Sequence, residues 1–272
     1  MGSDVGRRVL GAAALAFGVI GLFRHDFDTW QQLHSLWQTP LGASVACVAA
    51  AVEIAGGAAI QWRRSARPAA LALGLVYLFF AVRWIPAILA HPRSYDGWGN
   101  LFEQLSIVCG ALIVYACASP VSAPVPRLAQ AGRYLFGVCV ISFTLEQLLY
   151  LDATASFVPK WIPPGPMFWA ILTTVAMGLG ALALLSGQLA LPASRLLTLM
   201  MVGFGVLIWL PRLLSAPQDS MNWGGNAQNL AITGASWIVA DFLARTAAAL
   251  TPGADRRPVT GETRMGSSGT GQ

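Results

Sequence analysis

The sequence predicts an all-α integral membrane protein of eight transmembrane helices, arranged as two parallel-repeat four-helix bundles. Three observations lead there. Of 272 residues, 56% are hydrophobic and only 11% charged, where a soluble domain carries about 25% charge. Eight apolar runs recur along the chain, measured against the roughly 17–25 residues that a bilayer span needs. The chain also matches itself at a constant offset of 125 residues.

In order, the runs occupy residues 9–23, 41–62, 69–90 and 101–118, then 134–151, 167–185, 196–214 and 230–243. The first and last reach spanning length only with their flanks. Arg7 and Arg8 ahead of the first run resemble a signal-peptide start, but no small-residue cleavage site and polar mature domain follow, so it reads as a helix. The alternating pattern of a membrane β-barrel is absent, which leaves helices to satisfy the backbone in lipid.

The offset pairs Trp84-Ile85-Pro86 with Trp209-Leu210-Pro211, Pro92 with Pro217, Trp98-Gly99 with Trp223-Gly224, and Arg8 with Arg133. This predicts a tandem duplication. The first repeat covers 7–119, a cytoplasmic linker 120–132, the second repeat 133–246, and a disordered cytoplasmic tail 251–272. Pro120, Pro124 and Pro126 interrupt the linker, and Gly, Ser, Thr and Arg dominate the tail. Four helices per repeat send both halves into the membrane in the same direction, related by an axis along its normal.

Twelve of the seventeen basic residues fall at the N-terminus, the two turns near Arg64 and Arg195, the linker and the tail. Arg24, Arg93 and Lys160 lie on the other side, with Arg83 and Arg212 inside helices near it. Loops rich in Lys and Arg stay in the cytoplasm, which places both termini there. The net charge of +5 is therefore a topological signal and does not call for nucleic acid.

Two polar groups within the runs are candidates for function. Glu53 lies about 18 Å along its helix from Leu41, where an ionised carboxylate is costly, so it faces the bundle and is paired or protonated. Gly56 and Gly57 one turn on allow a neighbouring backbone to approach. Either Glu53 bonds a facing carbonyl and only packs, or it binds a ligand or moves a proton. The second group comprises Arg83, Glu103, Gln104, Glu146 and Arg212, with Gln147, Gln228 and Asn229. Pro86 and Pro211 beside it free the carbonyls of Val82 and Leu207. The group either lines an outward-facing polar pocket or forms structural ion pairs, Arg83 with Glu103 and Arg212 with Glu146. The histidines show no metal-ligand spacing, so no metal site is assigned. Cys47, Cys109, Cys117 and Cys139 lack a Cys-x-x-Cys pair and read as small buried hydrophobes. Ten tryptophans fit an interfacial belt or stacking on a quinone ring.

Gly21-Leu22-Phe23-Arg24, Glu53-Ile54-Ala55-Gly56-Gly57 and Arg64 with Arg67-Pro68-Ala69-Ala70 resemble the DoxX and DoxX-like family of bacterial membrane proteins. The likeness covers residues 7–119. The second half departs from it, with Gly178 at the offset of Glu53 and Leu149 at that of Arg24. Its segment Val158-Pro159-Lys160-Trp161-Ile162-Pro163 is instead similar to the Pro-Trp-Pro loop of the DoxX-like branch. The resemblance implies a bacterial cytoplasmic membrane and a redox-associated subunit, which binds a quinone or other lipophile or anchors an oxidoreductase partner. A transporter of a small solute or lipid with its site at the repeat interface is the alternative, and a ligand-free scaffold a third. The paired prolines fit transport, whereas the unpaired Glu53 fits proton uptake in one half only.

Single cysteines placed at Asp28 and Ser65 in a cysteine-free background test the orientation. An impermeant thiol reagent applied from outside should label the Asp28 site and spare Ser65; the reverse pattern overturns it.

Overall fold

Residues 4–25, 29–118 and 127–250 are described by the computed structural model, and the regular structure among them is helical throughout. The first half contributes α1 (Val5–Arg24), the short α2 (Leu33–Trp37), α3 (Pro40–Ala59), α4 (Ala66–Arg83), α5 (Ile85–Ala90) and α6 (Asp96–Cys117). The second contributes α7 (Arg127–Leu149), the short α8 (Leu151–Phe157), α9 (Pro166–Ser186), α10 (Ala190–Phe204), a π-helical turn (Gly205–Trp209), α11 (Leu210–Ser215) and α12 (Ser220–Leu250). Thr39 starts α3 by accepting a hydrogen bond from the Gly42 amide, with Pro40 at the first helical position. Helix α7 begins at Arg127, inside the stretch expected as linker. The remainder of that linker and the tail 251–272 lie outside the described residues.

Seven helical segments are long and apolar enough to cross a membrane, among them Ala66–Ala90 and Ala190–Ser215, each a helix continued past an interruption. The protein is thus a multi-pass helical membrane protein. Both interruptions sit just before a proline, which cannot donate to the preceding turn and whose ring crowds it. Ahead of Pro86 the helix breaks at Trp84, and ahead of Pro211 it widens into the π turn. The eighth expected run falls within α12, which at 31 residues is longer than expected but outside the seven apolar segments. Asn222, Gln228, Asn229, Thr233 and Ser236 lower its hydropathy, and all five are buried against the rest of the protein.

The long helices form a closed ring. Helix α1 packs on α3, then α4, α6, α7, α9, α10 and α12 follow in turn, and α12 returns to α1, while α6 and α12 also meet across the middle. Lipid tails are as apolar as leucine side chains, so this packing depends on close backbone approach and dispersion. Small residues make the approach possible. A Cβ on Gly57 would fall 2.6 Å from the Gly11 carbonyl oxygen, and one on Gly234 would fall 2.6 Å from the Leu10 amide nitrogen. Helix α1 is therefore clasped on both flanks, and Leu10, Ala13, Ala14 and Phe17 are fully buried.

One end of the ring is tied by Asp4. Its carboxylate takes a 2.9 Å hydrogen bond from Nε of Arg63, and lies 3.6 Å from Arg7 and 3.8 Å from Arg245. Arg7 also donates to the Ile60 carbonyl at the end of α3. Burial alone would raise the Asp4 pKa, but the Arg63 hydrogen bond and the surrounding guanidinium charges outweigh it and hold the carboxyl below its usual value. A depressed carboxyl stabilises the fold above its unfolded-state pKa, and that stabilisation disappears as pH falls through the lower folded value. Asp4→Asn should cost about 1 kcal/mol at neutral pH, read as a lower melting temperature. Wild type and variant should converge in acid below the range where Asp4 titrates.

Candidate functional site

At the end of the ring opposite Asp4, the second half, with α6 and Trp30 of the first, borders an open cavity of about 680 Å³. Helices α6, α7, α8, α9, α10 and α12 and the π turn contribute to its wall. Most of that wall is apolar or aromatic: Phe143, Phe157, Trp169 and Trp209, with the flexible Met177 and Met201. Trp209 ends the π turn, a rare widening that recurs at functional sites. Asn226 donates a 2.7 Å hydrogen bond to the Trp209 carbonyl, and Asn229 donates to the Met201 carbonyl at 3.1 Å. Gly225 makes room for the indole, because a Cβ there would meet the Trp209 ring at 1.9 Å.

One side of the cavity is polar and acidic. Glu146 of α7 rests against α6 where Gly99 leaves space, since a Cβ on Gly99 would come within 2.6 Å of Oε1 of Glu146. Glu103 lies one turn along the same face of α6, and its carboxyl interacts electrostatically with that of Glu146. Asp96 extends the group at the start of α6 and acts on Glu146 in turn. Gln104 donates to Oε1 of Gln228 at 3.3 Å, and the buried Nε2 of Gln228 has no hydrogen-bond partner. No basic side chain is among the described residues that line the cavity. A separate cavity of about 470 Å³ at the Asp4 end is lined by both signs of charge, Asp4 and Asp241 with Arg7, Arg63 and Arg245.

The segment after α1 turns back into the ring and touches both halves. Trp30 is 5% exposed, and Gln31 is fully buried. Gln31 Nε2 donates a 2.7 Å hydrogen bond to Oε1 of Glu53, which is itself fully buried, with Tyr77 beside the same carboxyl. The next side chain toward the N-terminus goes the other way. The Trp30 indole lines the same cavity as Glu103, and meets Trp209 edge-on with ring centroids 6.1 Å apart. Trp84 Nε1 secures the Trp30 carbonyl at 2.8 Å, while Arg83 donates to Ser35 Oγ at 2.6 Å and to the Gln32 carbonyl at 3.4 Å. Gln32 takes a left-handed φ of 49° to make the turn.

The structure thus brings Glu103, Glu146, Gln147, Gln228 and Asn229 to one cavity, with Gln104 directly behind it. Glu53 belongs to a separate buried cluster in the first half. Arg83 braces the returning segment, and Arg212 stacks over the Phe157 ring at 4.5 Å from its centroid, so neither guanidinium lines the cavity. Gly57 is where α1 passes α3, whereas Gly56 faces Leu73 of α4. Cys109 and Cys139 are buried, but Cys47 is exposed because it lies on the outward face of α3. Sequence reasoning missed Trp30, Asp96 and Trp209. The only signals were an aromatic beside two glutamines in a connecting segment and an acidic helix start. Comparison with protein-family models, with curated proteins and with solved structures returns no match.

Gln31→Leu removes the donor to Glu53 and should cost about 1–3 kcal/mol, the penalty for an unsatisfied buried polar group. Glu53→Gln, which keeps an amide partner for Gln31, should lower the melting temperature less; equal losses would show that the pair contributes no coupling.

Proposed function

We propose that the protein binds a lipophile with one polar end inside the second-half cavity. The observation that carries this reading is the cavity itself, large enough for a small ligand, with aromatic and methionine walls and the carboxyls of Asp96, Glu103 and Glu146 grouped where α6 meets α7. A quinone bound by a redox-associated subunit of the DoxX-like type is the version implied by the residues of the first half. An oxidoreductase partner fits the same role.

The frame for this reading is an eight-span duplicated bundle in a bacterial cytoplasmic membrane, with both termini cytoplasmic. The ring order supports the duplication, because exchanging α1, α3, α4 and α6 for α7, α9, α10 and α12 leaves every neighbour relation unchanged. The offset of 125 residues also carries α5 (Ile85–Ala90) onto α11 (Leu210–Ser215). The end tied by Asp4 gathers Arg7, Arg63 and Arg245, which supports a cytoplasmic assignment for that end.

A transporter is the second reading, favoured by the helix interruptions before Pro86 and Pro211 at corresponding places in both halves. In that reading the π turn forms a moving wall of the same cavity, with α11 following it.

Gly203 tests the cavity directly, because it lines the wall and a Cβ added there meets nothing within 4 Å. In lipid nanodiscs, wild type should show a saturable rise in fluorescence of the neutral dye Nile red. Gly203→Trp should abolish the saturable component with little change in melting temperature. Undiminished binding in the folded variant would overturn the proposal.

A further inference from the structure

We infer that the cavity selects a lipophile whose polar end is a cation, an alkylamine or quaternary ammonium, over a neutral one of equal length. This rests on the proposed use of the cavity and narrows its ligand class. Two features of the cavity point that way, and a third marks the same wall as a place for a ligand.

The first is unpaired acidity. Asp96, Glu103 and Glu146 line the cavity, and no basic side chain is among the described residues that line it. Carboxyls within a membrane are retained when something pairs with them. Arg212 lies over Phe157, and Arg83 donates to Ser35 and Gln32. A cationic guest supplies the charge that the wall omits.

The second is the aromatic surround. Trp30 meets Trp209 edge-on, and Phe157 lies 5.9 Å from Trp209 between centroids. Aromatic faces attract ammonium groups, most strongly where water is excluded, and quaternary ammonium ligands are bound in such cages. Trp30 joins the two features, because its indole lines the same cavity as Glu103. Phe157 already holds a cation on one side, the Arg212 guanidinium at 4.5 Å.

The third is Gln228. It is 2% exposed and lines the cavity, and one end of its amide is held by Gln104 while Nε2 has no partner. The free end is an N–H donor, so an acceptor completes it, a bound water or an oxygen of the ligand beside its cationic group. Its partner Gln104 follows Glu103 on α6, which brings Gln228 to the α6 side of the cavity.

The test uses two competitors that share a twelve-carbon chain, dodecyltrimethylammonium and the uncharged tetraethylene glycol monododecyl ether. Each displaces Nile red from the full chain in nanodiscs, below its critical micelle concentration. The ammonium compound should act at a concentration at least about tenfold lower, a difference of about 1.4 kcal/mol. The double variant Glu103→Gln/Glu146→Gln should lose that preference, read as the ratio of the two displacement concentrations within the variant, whatever its affinity for the dye. Equal displacement by the two compounds in wild type would overturn the inference while leaving a lipophile cavity standing. A preference that persists in the double variant would also overturn it, by removing the carboxylates from its cause. Absence of saturable dye binding in wild type would instead defeat the underlying cavity reading, and the inference with it.

Discussion

A polar group inside a bilayer has no water to turn to, and that constraint explains more of this structure than hydrophobicity does. Each buried amide, hydroxyl or carboxyl must be answered by another part of the protein. Gln31 therefore leaves its connecting segment to reach Glu53. Asn226 and Asn229 donate to the backbone carbonyls of Trp209, at the end of the π turn, and of Met201 in α10. Thr198 and Ser236 meet each other across α10 and α12 at 2.9 Å. These contacts specify which faces touch, a task that interchangeable leucines and alanines perform poorly. The acidic side of the large cavity is the place where the protein leaves this answer incomplete.

Close backbone approach supplies the attraction that these polar contacts direct. Gly11 and Gly57 bring α1 onto α3, and Gly6 and Gly234 bring it onto α12. The clasp places the end of α1 where Arg24 donates 2.8 Å hydrogen bonds to the carbonyls of Pro217 and Gln218, between α11 and α12. From that anchored end the chain returns inward, and adjacent residues Trp30 and Gln31 serve different halves. The wall of the second-half cavity thus includes a residue from the first, fixed by its neighbour's bond to Glu53.

Much of the helical layout was legible in the amino acids because spanning helices are written as apolar runs, and because an internal offset is visible without coordinates. The seven apolar segments overlap the expected runs closely. Helix α12 was legible only in its middle, since a helix that buries its polar face in protein does not announce itself by hydropathy. Glu103, Glu146 and Gln228 were recognisable as polar groups at matching depths. Their separation from Glu53, Arg83 and Arg212 was not, because depth along a helix is encoded in residue count while rotation about the bundle is encoded in packing. Trp30 was hidden for a related reason: nothing in a short loop sequence says that it turns back into the protein.

The polar character of α12 has a consequence for biosynthesis. A segment carrying Asn222, Gln228 and Asn229 partitions poorly into lipid on its own, so its place in the ring depends on partners already formed. Those partners include α1, made more than two hundred residues earlier. The ring consequently cannot close while it is being synthesised, and the flank of α1 that holds Gly6 waits for the last described helix to arrive. Until then that flank of α1 is an open seam. The residues that line the interior of the finished protein are thus the ones that make its final step of assembly cooperative.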